Sequence, residues 1–148
     1  MKRFIIIFIC AIFIIGCVSH NLRSYKPLVK NEKSITVPPG GLMLIGAIKD
    51  VLQKNNWVLY VDKAQTVHKG EINPSVNVTS KEVFKTRYRL NIKFQQYDVC
   101  IPGGRDNPAL FYDIAITDNN DDAEVMSLSG QGCQRHIVEK FEEWLNSK

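Results

Sequence analysis

Residues 84 to 95, FKTRYRLNIKFQ, restrict the fold more than any other stretch of the chain. Phe84, Thr86, Tyr88, Leu90, Ile92 and Phe94 alternate with Lys85, Arg87, Arg89, Asn91, Lys93 and Gln95. A period of two sustained this long belongs to a β-strand with one face on a core and the other in solvent. A helix would scatter the same apolar residues around its axis. The chain must therefore build a sheet and cover one side of it.

The remaining patterns supply the cover. Ser34-Ile35-Thr36-Val37 predicts a short strand, broken by Pro38-Pro39-Gly40-Gly41. Leu42, Leu44, Ile45, Ile48, Val51 and Leu52 then recur at helical spacing as far as Asn55. Trp57 to Val61 reads as a buried strand, Thr66 to Lys69 as a second short one, and residues 70–80, with Asn73-Pro74, as a loop. Beyond Cys100, Ile101-Pro102-Gly103-Gly104 and Asn107-Pro108 mark a turn region. Leu110 to Thr117 and Glu124 to Ser129 predict a hairpin around DNNDDA. Ile137, Val138, Phe141, Trp144 and Leu145 form the apolar stripe of a closing helix, Cys133 to Asn146. The order β-α-β-β-β-β-β-α implies an α+β domain over residues 34–148, a largely antiparallel sheet with two helices packed on one face. Residues 17–33 are polar and read as a tether. Fully extended, the stretch 18–33 reaches about 55 Å.

The amino terminus carries an address. Met1-Lys2-Arg3 is basic, Phe4 to Ile15 is almost unbroken Ile and Phe, and Gly16-Cys17 closes the run. This is the layout of a secretory signal. As a helix the apolar run spans about 18 Å, short of the ~30 Å hydrocarbon core of a bilayer. Ile14-Ile15-Gly16-Cys17 resembles the lipobox of bacterial lipoproteins, in which an aliphatic, a variable and a small residue precede the cysteine. The family prefers Leu at the first position and Ala or Ser at the second, where this chain has Ile14 and Ile15. The resemblance implies that residues 1–16 are a signal peptide that is removed. It also implies that Cys17 receives two or three acyl chains, palmitate among them, enough for stable anchoring. Val18 rather than Asp after the cysteine favours the outer membrane, with the domain facing the periplasm. The order of helices and strands is similar to that of small envelope lipoproteins, the curli-secretion channel lipoprotein among them, and to the amino-terminal domain of the Tol-system β-propeller protein.

Loss of residues 1–16 removes Lys2 and Arg3, so the formal charge of +4 becomes +2. With no Lys/Arg-rich block, the chain lacks the electrostatic footprint of a nucleic-acid binder. Cys10 leaves with the signal and Cys17 is the lipid site. Cys100 and Cys133 remain, and in an oxidising compartment they most simply form a disulfide. The alternatives are two free thiols, or a metal pair helped by His68 or His136. Zinc asks for three or four ligands at spacings this chain does not have.

Three further patterns bear on function. Asp118, Asn120 and Asp122 fall at calcium-loop positions 1, 3 and 5, but Ala123 stands where Gly is needed and Ser129 where a bidentate Glu belongs. A polar hairpin turn is expected instead. Lys85, Arg87, Arg89 and Lys93 form a basic row at steps of about 6.6 Å, a candidate surface for anionic headgroups, a glycan or an acidic partner. The competing reading is a solvated face balanced by carboxylates, Asp113 among them. His68 and His136 offer bases, but no Gly-x-Ser-x-Gly or His-Glu-x-x-His sequence supplies the rest of a hydrolytic site. The expectation is a non-catalytic lipoprotein without cofactor or metal, an accessory or assembly factor that docks an envelope protein. The alternative is a binding module for a glycan or lipid fragment.

Overall fold

The computed structural model describes residues 19–29, 31–62, 86–101 and 104–147. Cys17, Lys85 and His68, the expected strand 66–69 and the expected loop 70–80 lie outside these residues. The described elements are β1 (Ser19–Ser24), β2 (Ser34–Val37), α1 (Met43–Lys54), β3 (Val58–Val61), β4 (Tyr88–Cys100), β5 (Gly104–Asp118), β6 (Ala123–Cys133) and α2 (Gln134–Asn146). The fold is α+β, and the strands form a single six-stranded sheet in the order β1-β6-β5-β4-β2-β3.

The sheet is mixed, which corrects the expectation of a largely antiparallel one. β1–β6, β6–β5 and β5–β4 are antiparallel, whereas β2 is parallel to both β3 and β4. The reason lies in α1. A helix between two neighbouring strands carries the chain back to the end where it started, so the second strand runs alongside the first. Among the described strands, β4, β5 and β6 follow one another antiparallel, as successive hairpin connections require.

Cross-strand register sets the two faces. Tyr88, Leu90, Ile92 and Phe94 of β4 stand opposite Asp118, Ile116, Ile114 and Tyr112 of β5. Leu44, Ile48, Val51 and Leu52 of α1 and Ile137, Phe141, Trp144 and Leu145 of α2 join these residues in one core. Each helix thus buries the stripe expected from its period. α1 stops at Asn55-Asn56 because Asn56 adopts φ 62°, the left-handed conformation Asn tolerates at a helix end. Trp57 N–H then reaches the Leu52 carbonyl at 3.0 Å and Asn56 N–H the Gln53 carbonyl at 2.9 Å, satisfying two orphan acceptors. Lys54 and Glu142 join the two helices at 2.7 Å.

A second correction concerns the stretch expected as a tether. Ser19–Ser24 is strand β1, paired with β6 from Ser19↔Gln131 to Ser24↔Met126. The N–H of Tyr25 continues the pairing to the Val125 carbonyl at 2.9 Å, and Tyr88 Oη accepts from the N–H of Val29 at 2.8 Å. SHNLRS shows no apolar alternation because an edge strand has one flank and one face in water, so its sequence need not advertise it. Gly130 makes the pairing sterically feasible. Its φ of 146° and the close approach of the Ser19 carbonyl leave no room for a Cβ.

The strands are also longer than their apolar cores. β4 continues past Gln95 to Cys100, and β5 begins at Gly104, so Asn107-Pro108 lies inside a strand. Irregularities at Gln96/Asp98 and Val99/Cys100 absorb the mismatch, with Val99 opposite Pro108. Cys100 and Cys133, the last residues of β4 and β6, are joined by the expected disulfide. Cys133 is therefore the residue before α2 rather than part of its first turn.

Candidate functional site

Of the expected basic row, Lys85 lies outside the described residues and Arg87 is paired with carboxylates. Arg87 donates to Asp118 at 2.8 Å and to Glu32 at 3.3 Å, while Lys26 reaches both Asp118 and Asp121 at 2.6 Å. Asp118 is fully buried at the end of β5, and a buried carboxylate is tolerated only when cations and donors surround it. Burial alone would push its carboxyl up. The hydrogen bonds from Lys26, the Asn120 N–H and Arg87 outweigh that and hold it below the usual carboxylate range. The same bonds raise the affinity of Lys26 and Arg87 for their protons.

This network closes the β5–β6 turn, which is polar as expected. Asp118 accepts from the N–H of Asn120 at 3.0 Å and Asp121 from that of Ala123 at 3.2 Å, while Asp122 takes φ 55°. These are the local side-chain bonds that Asp and Asn make in turns. Among the described residues no group of three His, Cys, Asp or Glu side chains is placed to hold a metal.

Of the row, Arg89 and Lys93 remain on the sheet face opposite the helices. Register places Arg89 across from Thr117 and Lys93 across from Asp113. Asn91, Gln95, Ala115 and Phe111 share this face, as do Ser127, Ser129 and Gln131 of β6 and Asn21 and Arg23 of β1. It is a broad polar surface with no described element packed over it.

Apolar exposure is concentrated at its margins. The outer strand β3 exposes Val58, Tyr60 and Val61, and among the described residues no strand pairs with its outer edge. Along the β4–β5 hairpin, from Phe111 in the middle of β5 to Ile101 just past the end of β4, Ile101 is 96% exposed, with Tyr97, Phe111 and Val99 between 42 and 48%. Tyr97 and Phe111 pack with ring centroids 4.5 Å apart. The disulfide braces the base of this cluster. Sequence reading passed over it because Tyr97, Val99 and Ile101 look like an ordinary strand tail entering a turn. The available signal was the aromatic and aliphatic content on either side of Cys100.

His20, assigned from sequence to a tether, bonds instead through Nδ1 to Tyr112 Oη at 2.6 Å. Burial first, and then the neighbouring His136 and Lys140 charges, push its imidazole below the ordinary value, whereas burial takes the Tyr112 phenol up to about 12. His136 itself is exposed on α2. A cleft of about 330 Å³ lies on the other side, lined by Leu28, Val29, Lys33, Asn55, Trp57, Leu145 and Asn146. Among the described residues no helix is long and apolar enough to cross a membrane.

No protein-family model matches the chain, and no curated protein matches it. Solved structures do. The PelC dodecamer from Paraburkholderia phytofirmans is similar in fold, with TM-score 0.50, 11% identity, and 82% of this chain aligned with 91% of that one. A point variant of that dodecamer in a second crystal form aligns over the same shares at TM-score 0.51 and 11% identity. At this identity the likeness concerns the fold.

Proposed function

We propose that this chain is a lipoprotein of the bacterial envelope, acylated at Cys17 and held on the periplasmic side of the outer membrane. It works as a non-catalytic accessory or assembly factor by docking protein surfaces. The observation that carries the docking reading is the β3 edge. Val58, Tyr60 and Val61 are exposed on β3, whose outer edge no described strand pairs with, and an apolar strand edge of this kind is a template for pairing with another chain. Support for copies of the same chain as the first partners comes from PelC, which shares the fold and assembles as a dodecamer. The lipobox resemblance at Ile14-Ile15-Gly16-Cys17 supports the anchoring.

Cross-linking of the acylated protein in its native membranes, followed by mass spectrometry, tests the reading. Adducts between copies that disappear in Val58→Lys/Val61→Lys support self-docking through β3, and adducts with a second envelope protein support a different partner. A chain that stays anchored, folded and uncross-linked would overturn docking altogether. The cleft beside Trp57 supports the second reading, a small glycan or lipid fragment as ligand. Saturable amide shift changes at Leu28, Val29 and Asn55 on titration with such a ligand would favour it.

A further inference from the structure

The pairing of residues 19–24 with β6 bears on where an anchor at Cys17 would hold the domain. β1 is antiparallel to β6, and β6 to β5, so β1 runs in the same direction as β5, away from the β4–β5 hairpin end. The chain therefore enters the sheet from that end. Its first paired residue, Ser19, stands opposite Gln131, which stands opposite Phe111. Two strand spacings put Ser19 about 10 Å from the Phe111 backbone. Cys17 precedes Ser19 by two residues, which span at most about 7 Å. A free segment 18–33 would have let the domain hang some 55 Å below its anchor in any orientation. The observed chain has no such freedom.

The surface thus brought to the anchor is the apolar one. Phe111, two strands across from Ser19, packs against Tyr97, and the exposed Val99 and Ile101 continue the apolar surface along β4 toward the hairpin end. At the opposite end of the 15-residue strand β5 stand Asn119, Asn120, Asp121 and Asp122, all polar. We propose that the cluster Tyr97, Val99, Ile101 and Phe111 is a membrane-contact surface. In this arrangement it lies in the headgroup and upper acyl region of the bilayer that holds the Cys17 acyl chains, so that the sheet stands on the membrane by its β4–β5 hairpin.

The residue types suit that depth. A tyrosine ring with one polar edge and one apolar face is stable at the headgroup level, and exposed Phe, Val and Ile gain by leaving water. Asp98, between Tyr97 and Val99, and Asp106 on β5 are exposed among these residues and hold the contact at the headgroup level, since a carboxylate deeper in hydrocarbon is costly. The Cys100–Cys133 bond keeps the hairpin end in register with β6. The proposal rests on acylation of Cys17, and its test separates the two.

The probe is an added indole in the full-length acylated protein. It is reconstituted in vesicles of phosphatidylethanolamine and phosphatidylglycerol that contain acyl-brominated phosphatidylcholine. Ile101→Trp replaces a side chain with almost no contacts, and Asn120→Trp places the same reporter in the turn at the far end. The two natural tryptophans are buried and provide a constant background. The expected result is loss of about half of the Ile101→Trp emission and none of the Asn120→Trp emission, as for an interfacial against an aqueous indole. An acyl mass at Cys17 and co-flotation with the vesicles, with Ile101→Trp unquenched, would leave anchoring intact and overturn the contact. Equal quenching of both reporters would overturn the orientation. An unmodified Cys17 in a chain that fails to float would remove the lipoprotein reading and the contact together.

Discussion

The two ends of the β5 strand are held by opposite means. At Asp118 the chain turns through four polar residues, and the junction is held by charge, with a buried carboxylate between Lys26 and Arg87. At the hairpin end a covalent bond takes the place of a polar network, and apolar side chains face outward. The first end is self-satisfied: its polar groups find partners within the chain, which leaves little for anything else to bind. The second is braced but unsatisfied, since its apolar surface remains in water unless something covers it. Closure by internal partners marks a structural site, and rigidity combined with exposure marks a surface for contact.

The largest expected effect comes from breaking the brace. Cys133→Ser opens a loop with a sequence separation of 33 residues, which in the chain-entropy model destabilises the domain by about 3–4 kcal/mol. Urea unfolding of the variant checks it, and an unchanged midpoint would show that the hairpin end holds without the bond.

Asp118→Asn strikes the other end. It leaves Lys26 and Arg87 with a neutral partner and should cost about 2 kcal/mol, the scale of hydrogen bonds to charged groups. The pH dependence has a definite sign. Because the folded Asp118 carboxyl lies below its usual range, its stabilisation is complete above about pH 4, the unfolded value. It is lost as pH falls through the lowered folded value. Wild type and Asp118→Asn should therefore converge in acid, and a constant gap in urea midpoint from pH 7 to pH 2 would refute the assignment.

Gly130→Ala sharpens the comparison within one face, since the new methyl meets the Ser19 carbonyl. A cost of about 1–3 kcal/mol is expected from the strained backbone. It should fall on β1, seen as faster amide exchange at Ser19–Ser24 while the Asp118 network stays protected.

A smaller effect is expected at His20. Its lowered folded value makes the neutral His20–Tyr112 pair fully stabilising above about pH 6.5, with the contribution lost as pH falls through the folded value. His20→Gln should remove that part of the pH dependence of β1 exchange. Smallest of all, Ile101→Ser should change stability by no more than about 0.5 kcal/mol, because an exposed side chain has little to lose. A larger loss would mean that the tip is part of the core after all.

Much of the framework is legible along the chain. The alternation at Tyr88 to Phe94 placed β4 and its buried side, the stripes at Leu44–Leu52 and Ile137–Leu145 placed both helices, and cysteine bookkeeping paired Cys100 with Cys133. Local periodicity reports these features because burial of one face imposes a period of 2 or 3.6 on the residues themselves. Two features carry no such imprint. β1 is polar because it lies at a sheet edge, and Arg87 follows the strand alternation while its charge answers a carboxylate 31 residues away.

The sequence by itself thus determined the class of the domain, its helices, the buried side of its central hairpin strand and its cross-link. It also carries Ile14-Ile15-Gly16-Cys17, whose resemblance to a lipobox supports the proposed anchoring. Only the tertiary structure decided that β2, β3 and β4 run parallel, that residues 19–24 join the sheet, and at which end of β6 the strand beginning at Ser19 starts. Strand order and direction depend on backbone hydrogen bonds between segments far apart in the chain. Those bonds are made by groups common to nearly every residue, so they leave no mark in the identity of the side chains.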